Sequence, residues 1–137
     1  MVTVFEVAPD ALIPRLAEGL KKSIKMPEWA KFAKTGAYAT RVPAQADWWW
    51  TRAASLLRKI YTDGPVGISR LRVWYGGRKN RGNKPGKAVK SGGKIIRVIL
   101  QDLEGLKYVK KTKAGREITP EGRKLMDSIA FEVQKSG

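Results

Sequence analysis

The chain has 137 residues, with 28 Lys and Arg against 12 Asp and Glu and no His, for a formal charge of +16 at pH 7. Its size fits one domain around one core, and a charge this large repels itself unless an anionic partner shares it. The absence of Cys and His excludes disulfides, thiolate zinc sites, cysteine nucleophiles, Ser-His-Asp triads and imidazole acid-base chemistry.

At the N-terminus, Glu6 and Asp10 stand where a signal peptide would carry basic residues, so the expected location is the cytoplasm. Leu12, Ile13, Leu16 and Leu20 then recur at helical spacing over residues 10–23. Asp10 is the expected N-cap, Lys21 and Lys22 lie near the negative end of the dipole, and Pro14 is tolerated because it falls early. Pro27 opens a short second helix around residues 28–33, with Trp29 and Phe32 on one side. Residues 36–46, with Pro43, read as a connecting loop.

Asp47 is placed to cap the strongest helical signal, residues 48–61. Trp49, Ala53, Leu56 and Ile60 form one apolar row, and Trp50, Ala54, Leu57 and Tyr61 the next. At ~100° per residue these eight span an arc of about 160°, wide enough to make this helix the centre of the fold. The opposite side collects Trp48, Thr51, Arg52, Ser55, Arg58 and Lys59, and Asp63-Gly64-Pro65 ends the helix. Aromatic faces stack on unpaired bases, but the wheel places Trp49 and Trp50 in the core and Trp48 one turn from Arg52. All three are read as structural, with Leu56 and Ile60 beside them.

Residues 68–75 fit a short helix or a strand equally. Residues 64–101 contain no acid and ten cations: Arg70, Arg72, Arg78, Lys79, Arg81, Lys84, Lys87, Lys90, Lys94 and Arg97. Within this window, residues 78–93 lack hydrophobic periodicity and are expected to form a long basic loop. Next comes a helix over residues 94–104 that buries Ile95, Ile96, Ile99, Leu100 and Leu103, with Gly105 as C-cap. Its apolar run is interrupted by Arg97 and falls far short of the ~18 residues of a membrane span. Residues 108–112 and 116–118, joined through Lys113-Ala114-Gly115, read as a hairpin with a basic tip, and Lys110, Lys111, Lys113 and Arg116 are the hairpin's cations. Thr119-Pro120-Glu121 starts a last helix whose inner face is Leu125, Met126, Ile129, Ala130 and Val133.

Helix, short element, helix and hairpin is the order of a winged helix. The expected fold is therefore mainly α: a winged-helix-like helical bundle around a central amphipathic helix, with a small β-hairpin, in a single domain of residues 1–137. Clustered cations at this charge mark a nucleic-acid binder. The candidate contacts are Arg52, Arg58, Lys59, Arg70, Arg72, Arg78, Lys79, Arg81, Lys84, Lys87, Lys90 and Arg97. No catalytic set emerges. Gly82 to Lys87 is one residue short of a phosphate-cradling loop and is followed by Ala88 instead of Ser or Thr. Glu117 and Glu121, four apart, fit a solvated strand and a helix N-terminus. The acids show no metal-ligand spacing, so neither metal nor cofactor is expected.

Three stretches carry a resemblance: residues 42–55 (Val-Pro-Ala-Gln-Ala-Asp-Trp-Trp-Trp-Thr-Arg-Ala-Ala-Ser), 73–78 (Val-Trp-Tyr-Gly-Gly-Arg) and 100–106 (Leu-Gln-Asp-Leu-Glu-Gly-Leu). With Met26-Pro-Glu-Trp29 and Ile118-Thr-Pro-Glu-Gly122, the chain resembles, over nearly its whole length, the archaeal and eukaryotic family of ribosomal small-subunit protein nineteen. The resemblance implies a cytoplasmic, non-enzymatic protein bound to ribosomal RNA and neighbouring ribosomal proteins in the head of the small subunit, needed for maturation of that RNA, and a monomer when free. It implies that Trp48 is structural, that Arg52 and Arg58 serve RNA contact or assembly, and that Arg78 opens the family's basic loop. Trp49 and Trp50 are bulkier than is usual there, and the short C-terminus resembles the archaeal branch. The rival reading is a winged-helix DNA-binding transcription regulator, with residues 94–104 in the major groove and Lys113 at the wing tip. It is weakened because Lys94 and Arg97 are that helix's only cations.

Overall fold

The computed structural model describes residues 3–32 and 47–136. Five helices and two hairpins follow one another: α1 Pro9–Lys21, α2 Trp48–Asp63, α3 Ile68–Trp74, β1 Gly77–Arg81, β2 Lys84–Val89, α4 Gly93–Gly105, β3 Val109–Thr112, β4 Gly115–Ile118 and α5 Pro120–Ser136. Short 3-10 turns at Val4–Glu6 and Glu28–Phe32 flank α1. The expected 36–46 loop lies outside the described residues.

The core assembles around α2. Its row of Trp49, Leu56, Leu57 and Ile60 is fully buried, as are Leu12 and Leu16 of α1, Ile96, Ile99, Leu100 and Leu103 of α4 and Met126 of α5. Helix α1 packs on α2 and α5, and α3 packs on α4. The mainly helical, winged-helix-like class read from the sequence is the fold observed, with α4 followed by the β3–β4 wing and α5 closing it.

The expected basic loop at 78–93 is instead largely the β1–β2 hairpin, paired from Gly77 opposite Val89 to Arg81 opposite Lys84. Gly82 and Asn83 make its two-residue turn, with Gly82 at φ +71° as a tight hairpin turn demands. Pro85, which has no N–H to donate, falls where the register shifts between Lys79 and Arg81. The sequence shows no period-2 pattern because this freestanding ribbon shares no sheet with other strands. At its root, a Cβ on Gly76 would lie 2.3 Å from the Val89 carbonyl oxygen. Only glycine lets the chain cross there.

Residues 68–75, left open between helix and strand, are helical through Trp74. Several helix ends also differ from expectation. Helix α1 starts at Pro9 with Ala8 as N-cap, so Asp10 lies in the first turn and Pro14 is inside the helix. Asp47 precedes α2 without a side-chain cap bond. Gly105 is the last residue of α4, and the left-handed position falls on Lys107 at φ +67°. There the Tyr108 N–H donates to the Leu103 carbonyl at 3.1 Å, as in a Schellman ending. Thr119 locks this turn from the far side: its hydroxyl donates to the Lys107 carbonyl at 2.6 Å and accepts from the Gly122 N–H at 3.1 Å, capping α5 as expected. A left-handed lysine costs backbone strain that glycine avoids, so Lys107→Gly is expected to stabilise the fold by about 1 kcal/mol in urea denaturation. An unchanged midpoint would mean that the Thr119 bonds already absorb the strain.

Candidate nucleic-acid interface

Cations and aromatics converge on the outer face of α2. Helical phase sets Arg52, Ser55, Arg58 and Lys59 opposite the core row, and the end of α3 returns onto them. The Arg52 guanidinium lies 4.3 Å from the Tyr75 ring centroid. The Tyr75 and Ser55 hydroxyls share a hydrogen bond of 2.5 Å. Burial pushes the Tyr75 phenol above its ordinary range, against the Ser55 bond and the Arg52 and Arg58 charges, so it is neutral at physiological pH. Arg58 is half-buried beside them, and its Nε has no hydrogen-bond partner among the described residues. Lys59 holds its ammonium 2.9 Å from the Trp74 ring centroid and 3.5 Å from the Asp63 carboxylate.

The remaining candidates divide by what they do in the fold. Arg70 and Arg97 are exposed on α3 and α4, and Lys87 and Lys90 are exposed on and just beyond β2. Arg72 turns inward: its Nε donates to the Ser91 carbonyl at 2.8 Å, while the Ser91 N–H donates back to the Arg72 carbonyl at 2.9 Å. This reciprocal pair joins α3 to the segment entering α4. Arg78, Lys79, Arg81 and Lys84 are placed by backbone register, with Lys79 opposite Lys87 and Arg81 opposite Lys84. Like charges directly across an antiparallel pair repel. On the second hairpin Lys110, Lys111 and Lys113 are exposed, but Arg116 is bound to the Glu104 carboxylate at 2.5 Å. That wing is less cationic than its composition implies.

The three consecutive tryptophans separate. Trp49 is fully buried and edge-on to both Trp29 and Trp48, with centroids 5.7 and 5.5 Å apart. Trp48 is buried although the wheel puts it on the polar side, because side chains of a first helical turn lean back past the helix start. Trp50, expected inside, is half-buried: its indole N–H donates to the Ile24 carbonyl at 2.8 Å and Lys21 lies 5.2 Å from its ring. Leu56 and Ile60 are fully buried. Sequence reasoning placed Ser55 on the polar face of α2 but missed Trp74 and Tyr75 as members of this cluster, since with 68–75 unassigned their faces had no definition.

Among the described residues no three acids gather as a metal site, and no helix is long and apolar enough to cross a membrane. What the geometry defines is a class: a small, strongly cationic, winged-helix-like protein with cations and aromatics gathered on one helix face and cations in the sequence of a two-stranded ribbon. The chain belongs to the ribosomal protein S19e family, whose model matches residues 3–136. It is 47% identical over 140 residues to small ribosomal subunit protein eS19 of Aeropyrum pernix, covering 98% of this chain and 92% of that one. The protein of the same name from Thermoplasma acidophilum is 41% identical over 98% of this chain and 91% of its own. That of Haloarcula marismortui is 43% identical over 97% and 92%. As a member of this family the chain is a structural ribosomal component and not an enzyme.

Proposed function

We propose that this protein is a cytoplasmic structural constituent of the small ribosomal subunit that clamps ribosomal RNA and supports assembly of the subunit and maturation of its RNA. The observation that carries the reading is the β1–β2 register, which sets Lys79 opposite Lys87 and Arg81 opposite Lys84 along the backbone. Such a ribbon is self-repelling alone and becomes favourable when phosphates sit between its cations. The face of α2 adds Arg52 and Arg58, held by Tyr75 and by burial, so their guanidinium groups are oriented before RNA arrives. Planar forks on a rigid helix suit phosphate oxygens around RNA junctions. The partners are ribosomal RNA and neighbouring ribosomal proteins, and the free chain is a monomer. A DNA regulator reading through α4 gains nothing from the structure, because Arg116 of the wing is committed to Glu104.

Trypsin tests the proposal. In the free chain, cleavage is expected within the ribbon at Arg78, Lys79, Arg81 and Lys87, with Lys84 resistant because Pro85 follows it. Inside assembled small subunits the same bonds are expected to survive at least tenfold longer, an order-of-magnitude reading of ordering by charge neutralisation. Equal cutting in both states would remove the ribbon from the RNA contact.

A further inference from the structure

Trp74 is 55% exposed and its neighbour Val73 61%. Two other aromatics, Phe5 and Phe131, are as exposed, but Phe5 leans on the Tyr61 ring at 5.7 Å and Phe131 borders a groove that holds both Glu117 and Asp127. Trp74 differs in its surroundings. The Lys59 ammonium covers one face of the indole, Arg70 is exposed one helical turn earlier on α3, and the acid-free stretch 64–101 runs through it. The exposed area therefore belongs to the other face and the ring edges.

We propose that Trp74 is a stacking platform for one unpaired base of RNA, with Lys59 beneath the ring and Arg70 beside it to take the flanking phosphates; this rests on the RNA-binding reading above. Three physical arguments favour a base over a protein side chain. A cation on one face of an indole is compatible with a π-face on the other, giving a three-layer stack. Protein interfaces deplete lysine from their cores, whereas here a lysine ammonium lies directly against the ring. The charge around the ring, Lys59 with its partner Asp63 and the exposed Arg70, is net positive and matches a polyanion. Because every base has a π-face, the contact tolerates any sequence and asks only that the base be unpaired.

The test compares the full chain on two probes of equal length and charge: an oligoadenylate of about eight nucleotides, in the range of ~4–16 that such sites span, and an abasic strand with the same sugar-phosphate backbone. Wild-type protein is expected to bind the base-bearing strand about tenfold tighter than the abasic one, the increment of one stacked base. Trp74→Ala is expected to abolish that difference and Trp74→Phe to keep most of it. Because the side chain is largely solvent-exposed, thermal melts of both variants serve as the folding control. A wild-type preference that persists in Trp74→Ala overturns the proposal. So does equal wild-type binding to both strands, which would leave the phosphate clamp intact and assign the Val73–Trp74 patch to a protein neighbour. No wild-type binding to either strand at low salt would instead sink the RNA-binding reading on which the platform depends.

Discussion

Raising monovalent salt from about 50 to about 200 mM is expected to weaken binding of this chain to small-subunit RNA by roughly three to five decades. The size follows from counterion release, in which neutralising about six to ten phosphates gives a log-log slope of about −0.9 per contact on duplex and about −0.7 on single strands. Of the twelve cations that the sequence nominates for contact, Arg72 is spent on Ser91 and Lys59 is paired with Asp63; the others are the proposed source of those contacts. Filter binding across the salt range gives the slope directly. Lys87→Gln and Lys90→Gln, both at exposed positions, should each flatten it by about one unit while shifting affinity alike for all RNA sequences. A flat response in the wild type would eliminate phosphate clamping as the source of affinity.

Trp49→Ala is expected to cost about 3 to 5 kcal/mol in denaturant unfolding, against a total stability of roughly 5 to 15 kcal/mol for a domain of this kind. Trp49 has no exposed surface, and its ring meets Trp29 and Trp48 edge-on. Truncation removes both pairings and leaves a void at the junction of α2 with the Glu28–Phe32 turn. Trp49→Phe should cost much less. It keeps an aromatic against both neighbours and deletes an indole Nε1 that is buried without a hydrogen-bond partner among the described residues. A loss below about 1 kcal/mol for the alanine variant would show that α2 is not the keystone of the core.

How far the residues announced this arrangement depends on whether an element buries one face. Helix α2 was legible because a wide apolar arc can only be central, and α4 and α5 because their apolar residues recur at helical spacing. The β1–β2 ribbon was not, since a two-stranded sheet that stands alone needs no alternation. Its one local signal, Gly82-Asn83 at the turn, lay inside what looked like unstructured basic sequence. Lys107 shows a different limit. The glycine at 105 is the residue a left-handed helix ending favours, yet the long-range bonds from Thr119 place that conformation two residues later. For the candidate interface, net charge points to a segment but cannot separate exposed cations from those used as struts. Arg72 and Arg116 read like their neighbours until their partners, Ser91 and Glu104, come into view. The class of function needed only composition and motif; the individual contacts needed the third dimension.

The pinch at Gly76 has a mechanical side. Both ends of the ribbon are seized at one place, by the close approach of Gly76 to Val89 and by the paired bonds of Arg72 with Ser91. The ribbon is thus a cantilever with a clamped root. The bearing of its base against α3 is set by the protein. On the RNA-binding reading proposed above, a nucleic-acid strand at the ribbon and another at Arg52 would be held at a spacing that the protein dictates, as between the jaws of a caliper. A flexible tether of the same charge would attract both strands but would fix neither their separation nor their angle.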